Sequence, residues 1–220
     1  RFNFDTFRTT EIKGDFVVGI SEMDLVESSS VPSMVVGYNF SDTVQVLLGQ
    51  ESNIFGTVGS GVLSLGNGST QYARLSLSDR AEDLSYSLHL DLGVSKGGDI
   101  QNSYVTHRDT FVAAGFSATL KKSFERDALK FKVNSPMKIV RGGLDLAVSN
   151  GRDTDGNITY SRSHLDIGGS SEREYLTEVS YSQYTSENSN IDWSFRNNFN
   201  LDGVDETNDT FVKMTYKIYF

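Results

Sequence analysis

The sequence predicts an all-β fold: a single domain over residues 1–220, built as an antiparallel, up-and-down transmembrane β-barrel of about 12–14 strands. Three observations lead there. Apolar and polar residues alternate with a period of two along most of the chain, which places them on opposite faces of a strand. The breaks between these runs are turn sequences such as 66–69 (Gly-Asn-Gly-Ser), 96–99 (Lys-Gly-Gly-Asp), 153–157 (Asp-Thr-Asp-Gly-Asn) and 168–171 (Gly-Gly-Ser-Ser). The residues that alternate with the apolar ones are Ser, Thr, Asn, Asp, Lys and Arg, a set too polar for the dry core of a sandwich.

Taken in order, the first runs are Phe16/Val18/Ile20 and Met34/Val36/Tyr38/Phe40. The clearest follows, with Leu84, Tyr86, Leu88, Leu90, Leu92 and Val94 alternating against Ser85, Ser87, His89, Asp91, Gly93 and Ser95. Val112/Ala114/Phe116/Ala118/Leu120 and Leu129/Phe131/Val133 come next. Ile191, Trp193, Phe195, Phe199 and Leu201 continue the pattern, with one lapse at Asn197. The last run is Val212, Met214, Tyr216, Ile218 and Phe220 against Lys213, Thr215 and Lys217. Apolar residues nowhere recur at helical spacing over three turns, so no long helix is expected. Pro32 and Pro136 are expected near strand starts, where a missing N–H does least harm. Tyr and Phe near the strand ends are expected to form interfacial girdles.

Composition fits this reading. Hydrophobic residues make up 37% of the chain and aromatics 11%; a barrel with a wet lumen needs few apolar residues overall. No stretch of about 18 consecutive apolar residues is present, which excludes a helical span. Cysteine is absent, removing disulfides, thiolate metal sites and thiol nucleophiles. The net charge of −9 argues against nucleic acid as a partner. The acidic groups gather at 22–27 and 202–209, where solvated loops are expected. The chain opens on Arg1 with no leader pattern, so it is expected to be a processed chain or the carboxyl-terminal piece of a longer precursor.

The closing strand, with Val212, Met214, Tyr216, Ile218 and the terminal Phe220 on one face, resembles the membrane-insertion signal of bacterial outer-membrane β-barrels. The segments Arg1–Phe7 (Arg-Phe-Asn-Phe-Asp-Thr-Phe), Ser135–Val148 and Ser171–Tyr181 resemble the C-terminal region of proteobacterial subtilisin-like peptidases. In that family an autotransporter-like β-barrel follows a secreted protease domain. The resemblance implies location in the bacterial outer membrane, with lipid and lipopolysaccharide, the barrel-assembly machinery and a passenger domain as partners. Autotransporter barrels carry a lumen-threading helix ahead of the first strand, and none is legible here. Two roles therefore stay open: anchor and translocator of a passenger, or an independent channel or structural barrel within a complex.

Catalytic and metal chemistry is weighed and set aside. Ser87, His89 and Asp91 share one strand face, but residues two apart on a strand stand about 7 Å apart, too far for a nucleophile–base hydrogen bond. A barrel-wall hydrolase is thus the least favoured role, and polar lumen lining the better one. His107-Arg108-Asp109 lacks the surroundings of a kinase catalytic loop and is expected to be the exposed start of a strand. The 153–157 segment has the wrong residues at the first and last ligand positions of an EF-hand, Gly151 and Arg162, and is expected to be a hairpin turn. No subtilisin triad can be assembled. The expectation is a non-enzyme without cofactor or metal.

Overall fold

A ladder of antiparallel pairings joins most of the chain into one sheet. The computed structural model describes residues 7–11, 15–21, 33–52, 68–97, 100, 104–169, 172–186, 189–200 and 207–218. Within these lie β1 (Phe7–Glu11), β2 (Phe16–Ser21), β3 (Ser33–Asn39), β4 (Val44–Ser52), β5 (Gly68–Ala81), β6 (Leu84–Gly97), β7 (Val105–Arg108), β8 (Phe111–Ser123), β9 (Asp127–Arg141), β10 (Gly143–Arg152), β11 (Ile158–Asp166), β12 (Tyr175–Ser186), β13 (Ser189–Phe199) and β14 (Asn208–Ile218). No helix occurs among the described residues.

Eleven strands form the main sheet in the order β1-β2-β3-β4-β5-β6-β8-β9-β12-β13-β14, and β11-β10-β7 form a second, three-stranded sheet. The all-β antiparallel expectation holds, with two refinements. The meander is interrupted, because β7 and the β10–β11 hairpin leave it to pair with each other. Among the described residues β1 and β14 have one neighbour each, so the sheet is not closed into a ring. Ten successive antiparallel steps also leave β1 and β14 running in the same direction.

The links alternate in length. At one end of the sheet they span 12–15, 40–43, 82–83, 124–126 and 187–188, none longer than four residues. At the other end they span 22–32, 53–67, 98–110, 142–174 and 200–207, none shorter than eight. The small sheet belongs to the long links. Val105, Phe111 and Leu144 form an apolar cluster there with Ile100, Ile139, Leu146 and Ile167, fastening β7 and β10 to the long-link ends of β8 and β9.

Along β5 and β6 the faces of the main sheet are inverted relative to a water-soluble protein. Along β5, Thr70, Tyr72, Arg74 and Ser76 are buried, while Gln71 and Leu75 are exposed. Along β6, Gly93 and Ser95 are buried while Leu90, Leu92 and Val94 are 44%, 55% and 36% exposed. The sheet bends so that its polar face is inside. Met137 of β9 packs against the Val35/Leu47/Tyr72 cluster of β3–β5, although β9 lies three places from β5 in the strand order. On the outer face apolar residues continue from strand to strand: Phe16–Tyr38–Val46–Leu75–Leu90–Phe116 across β2 to β8, and Tyr86–Leu120–Phe131–Val179–Phe195–Val212 across β6 to β14. Such cross-strand apolar pairs are the unit of sheet stabilisation.

Two local expectations are corrected. Pro136 is not near a strand start but inside β9, where the β8–β9 register slips between Ala114 and Phe116. It lies beyond Asn134, the last β9 residue paired with β12, so the irregularity absorbs the missing N–H. The turn sequences at 66–69 and 96–99 are partly strand, with Gly68 facing Gly97 and Ser69 facing Lys96 in the ladder. Pro32, Leu201, Phe220 and the acidic segment 22–27 fall outside the described residues, as does 202–206 of the second acidic segment.

The same irregularity requires Gly115. A Cβ there would stand 2.8 Å from the Met137 amide nitrogen and 3.1 Å from the Ser135 carbonyl oxygen, both backbone atoms. Gly115→Val should therefore destabilise the fold by about 1–3 kcal/mol, read as a lowered urea midpoint. An unchanged midpoint would show that β9 yields at this point.

Candidate functional site: the polar inner wall

The inner face of β4–β6 holds a hydrogen-bonded polar cluster. Arg74 and Asp91 stand opposite each other in the β5–β6 ladder. The Arg74 guanidinium donates from Nε to Asp91 Oδ1 at 2.6 Å and from Nη2 to Oδ2 at 2.9 Å, with both side chains largely buried. This two-pronged geometry suits guanidinium and carboxylate and fixes both groups. Tyr72 donates its hydroxyl to Glu51 Oε1 in the same buried region. Ser76 Oγ and His89 Nδ1 are 2.9 Å apart, again directly across the ladder.

These contacts decide the fate of the Ser87/His89/Asp91 row. All three lie on the inner side of β6, as expected, and their partners across the ladder come from neighbouring strands. His89 takes Ser76, Asp91 takes Arg74, and Ser87 faces Ser78 and Thr119. Sequence reading missed Ser76 and Arg74, because the register that brings them to His89 and Asp91 depends on the 82–83 turn. The Ser76–His89 pair has the distance of a nucleophile and its base, yet Ser76 is only 7% exposed and Asp91 is committed to Arg74. A cavity of about 510 Å³ lies toward the short-link end, lined by Asp42, Ser78, Arg80, Ser85 and Ser87 among others.

Further along the sheet, β12–β14 repeat the arrangement. Arg196 Nη2 donates to Glu178 Oε2 at 2.9 Å, and Ser180 Oγ donates to Glu178 Oε1 at 2.8 Å. Lys217 Nζ lies 2.6 Å from Asp192 Oδ2, and Asn190 Nδ2 donates to Asp192 Oδ1 at 2.8 Å. The outward residues of β14 are Val212, Met214, Tyr216 and Ile218, between 53% and 73% exposed.

The remaining sequence candidates belong to the long-link end. His107 and Asp109 are exposed and 3.8 Å apart, but Arg108 between them is buried, and the three sit at the end of β7 instead of a strand start. Arg108 lies so close to Gly97 that a Cβ there would overlap its guanidinium. Asp109 instead accepts the Gly143 amide at 3.0 Å, tying β7 to β10. The 153–157 segment is the β10–β11 turn. Asp153 turns its carboxylate onto its own backbone, accepting from the amides of Asp155 and Asn157 at 2.9 and 2.7 Å and from Asn157 Nδ2 at 3.0 Å. Those bonds hold the Asp153 carboxyl below the usual carboxylate range and leave it little capacity for a cation. Among the described residues no cluster of His, Asp and Glu has the spacing of a metal site.

No family model, curated protein or solved structure matches the chain.

Two outcomes follow from this geometry. Arg74→Ala leaves Asp91 buried without its cation and should cost about 3–5 kcal/mol, whereas Arg74→Leu combined with Asp91→Leu should recover most of that loss in urea denaturation. At the other end, the hydrogen bond from His164 Nδ1 to Asp145, 2.7 Å, raises the imidazole above its ordinary range. Protonation is thus favoured in the fold, and the pairing's contribution is present below the unfolded imidazole pKa and fades as pH rises through the folded one. NMR titration of His164 should show a midpoint above that of a free imidazole, and Asp145→Asn should bring it back down.

Proposed function

We propose that this chain is an outer-membrane β-barrel serving as the anchor and translocator of a secreted passenger, with no chemistry of its own. The observation that carries the reading is the exposed apolar face that runs from strand to strand across the main sheet, backed on β5, β6 and β12–β14 by a largely polar inner face. In water this arrangement loses twice, since apolar surface stays hydrated and polar groups are buried. In a bilayer both terms change sign, because the outer rows meet hydrocarbon and the polar groups meet one another or lumenal water.

Three further features support it. Strands β5, β6, β8, β9, β12, β13 and β14 hold 11–15 residues each, enough to cross a bilayer when tilted. The alternation of short and long links matches barrels whose turns are short on the periplasmic side and whose loops are long outside. Seven outer-face aromatics lie toward strand ends, Phe16, Tyr38, Phe40, Tyr86 and Tyr216 by the short links and Tyr175 and Phe199 by the long ones, while Phe116, Phe131, Trp193 and Phe195 lie mid-strand. Phe16, Tyr38 and Phe40 form an edge-to-face cluster with centroids 5.0 and 4.9 Å apart. On this reading the partners are lipid and lipopolysaccharide, the barrel-assembly machinery and a passenger. The subtilisin-like peptidase resemblance supplies the class of passenger.

Closure of the ring is constrained by strand direction. Since β1 and β14 run the same way, an antiparallel ring takes one further strand between them, running opposite to both; bacterial single-chain barrels use even strand numbers.

The purified chain should require detergent for solubility and should migrate faster on gels when unheated. The double variant Tyr216→Asp/Ile218→Asp should lose both the shift and membrane assembly. A monomeric, detergent-free solution state with the same strand content would sink this reading.

A further inference from the structure

We propose that the inner wall of β8, β9 and β14 forms an anion-selective path through the barrel, carried by Lys121, Lys130, Lys132 and Lys213. The proposal rests on the barrel reading and adds to it what the lumen admits. The register sets Lys121 opposite Lys130, Lys130 opposite Ser180, Ser180 opposite Ser194 and Ser194 opposite Lys213. One row across five strands therefore presents three ammonium groups and two hydroxyls, with no carboxylate. In the next row Lys132 stands between Thr119 and Glu178.

Like charges placed directly across a ladder are destabilising, and the Lys121–Lys130 pair is of that kind. The carboxylates on this wall relieve it only in part: Glu178 faces Lys132 and attracts Lys130, but it forms its ion pair with Arg196. Glu178 is taken by Arg196 and Ser180, and Asp192 by Lys217 and Asn190. Asp209 sits near the long-link end, opposite Asn198. None of the four lysines pairs with a carboxylate among the described residues. The inner faces of β8, β9 and β12–β14 thus carry Lys121, Lys130, Lys132, Arg196, Lys213 and Lys217 against Glu178, Asp192 and Asp209. This cationic excess lies within a chain whose net charge is −9. Elsewhere on the inner face Arg74 is locked to Asp91 and Glu51 to Tyr72, so among the described residues these two carboxylates already have partners. Rings of Lys and Arg are how pores favour anions, and mobile anions are the counter-charge this row lacks.

The test is the reversal potential of the full chain in planar bilayers under a potassium chloride gradient. The expected result is a chloride-favouring potential. Lys121→Gln/Lys130→Gln/Lys213→Gln should bring it toward zero, and the corresponding Glu variant should invert its sign. Heat-modifiable migration of each variant confirms that it has folded. A cation-favouring or unselective parent, a folded Glu variant that keeps the parental sign, or insertion without any conductance would overturn the anion path while leaving the barrel reading in place. Failure of the parent to associate with bilayers at all would remove the barrel reading, and this proposal with it.

Discussion

Successive residues of a strand point to opposite faces, so a chain that keeps a strict two-residue period commits each face to one kind of surroundings. Here the commitment is unusual in its direction. The face that bends inward carries Thr70, Arg74, Ser76, Asp91 and Ser95, and the face turned out carries Leu75, Leu90, Leu92, Phe131 and Phe195. A slip of one residue in any strand would exchange the two faces, placing leucines in the polar interior and an arginine outside. Register is therefore strongly specified, and the inner ion pairs reinforce it. Arg74 meets Asp91, and Arg196 meets Glu178, only at the observed pairing.

Much of this architecture was legible in the chain because period-two patterning is a local property. The Leu84–Val94 run reads as β6 without reference to any neighbour, and so do the alternations of β2, β3, β8 and β13. Less legible were features that depend on partners distant in sequence. Ser87, His89 and Asp91 could be placed on one face, but their actual partners come from β5 through the ladder. Pro136 was misplaced because a bulge is a relation between two strands, visible in neither alone. The departure of β7 and the β10–β11 hairpin from the meander was also hidden, since their alternation resembles that of the main sheet and only the long-link cluster around Phe111 and Leu144 sets them apart.

The inner wall is built from two kinds of polar contact. Where carboxylates and guanidinium groups face each other, they pair closely and rigidify the sheet, at Arg74–Asp91 and Arg196–Glu178. Where lysines face lysines or serines, no ion pair forms among the described residues. Ion pairs lie on β5–β6 and on β12–β14, with the lysines that form none among the described residues mainly on β8–β9 between them.

The chain has one tryptophan, and it provides the most direct test of the inverted sheet. Trp193 sits on the outer face of β13, between Tyr181 and Met214, and is 47% exposed. Reconstituted into vesicles with brominated acyl chains, the protein should show blue-shifted Trp193 emission that the bromines quench. Red-shifted emission, quenched by aqueous iodide and indifferent to brominated lipid, would place the apolar face in water and contradict the account.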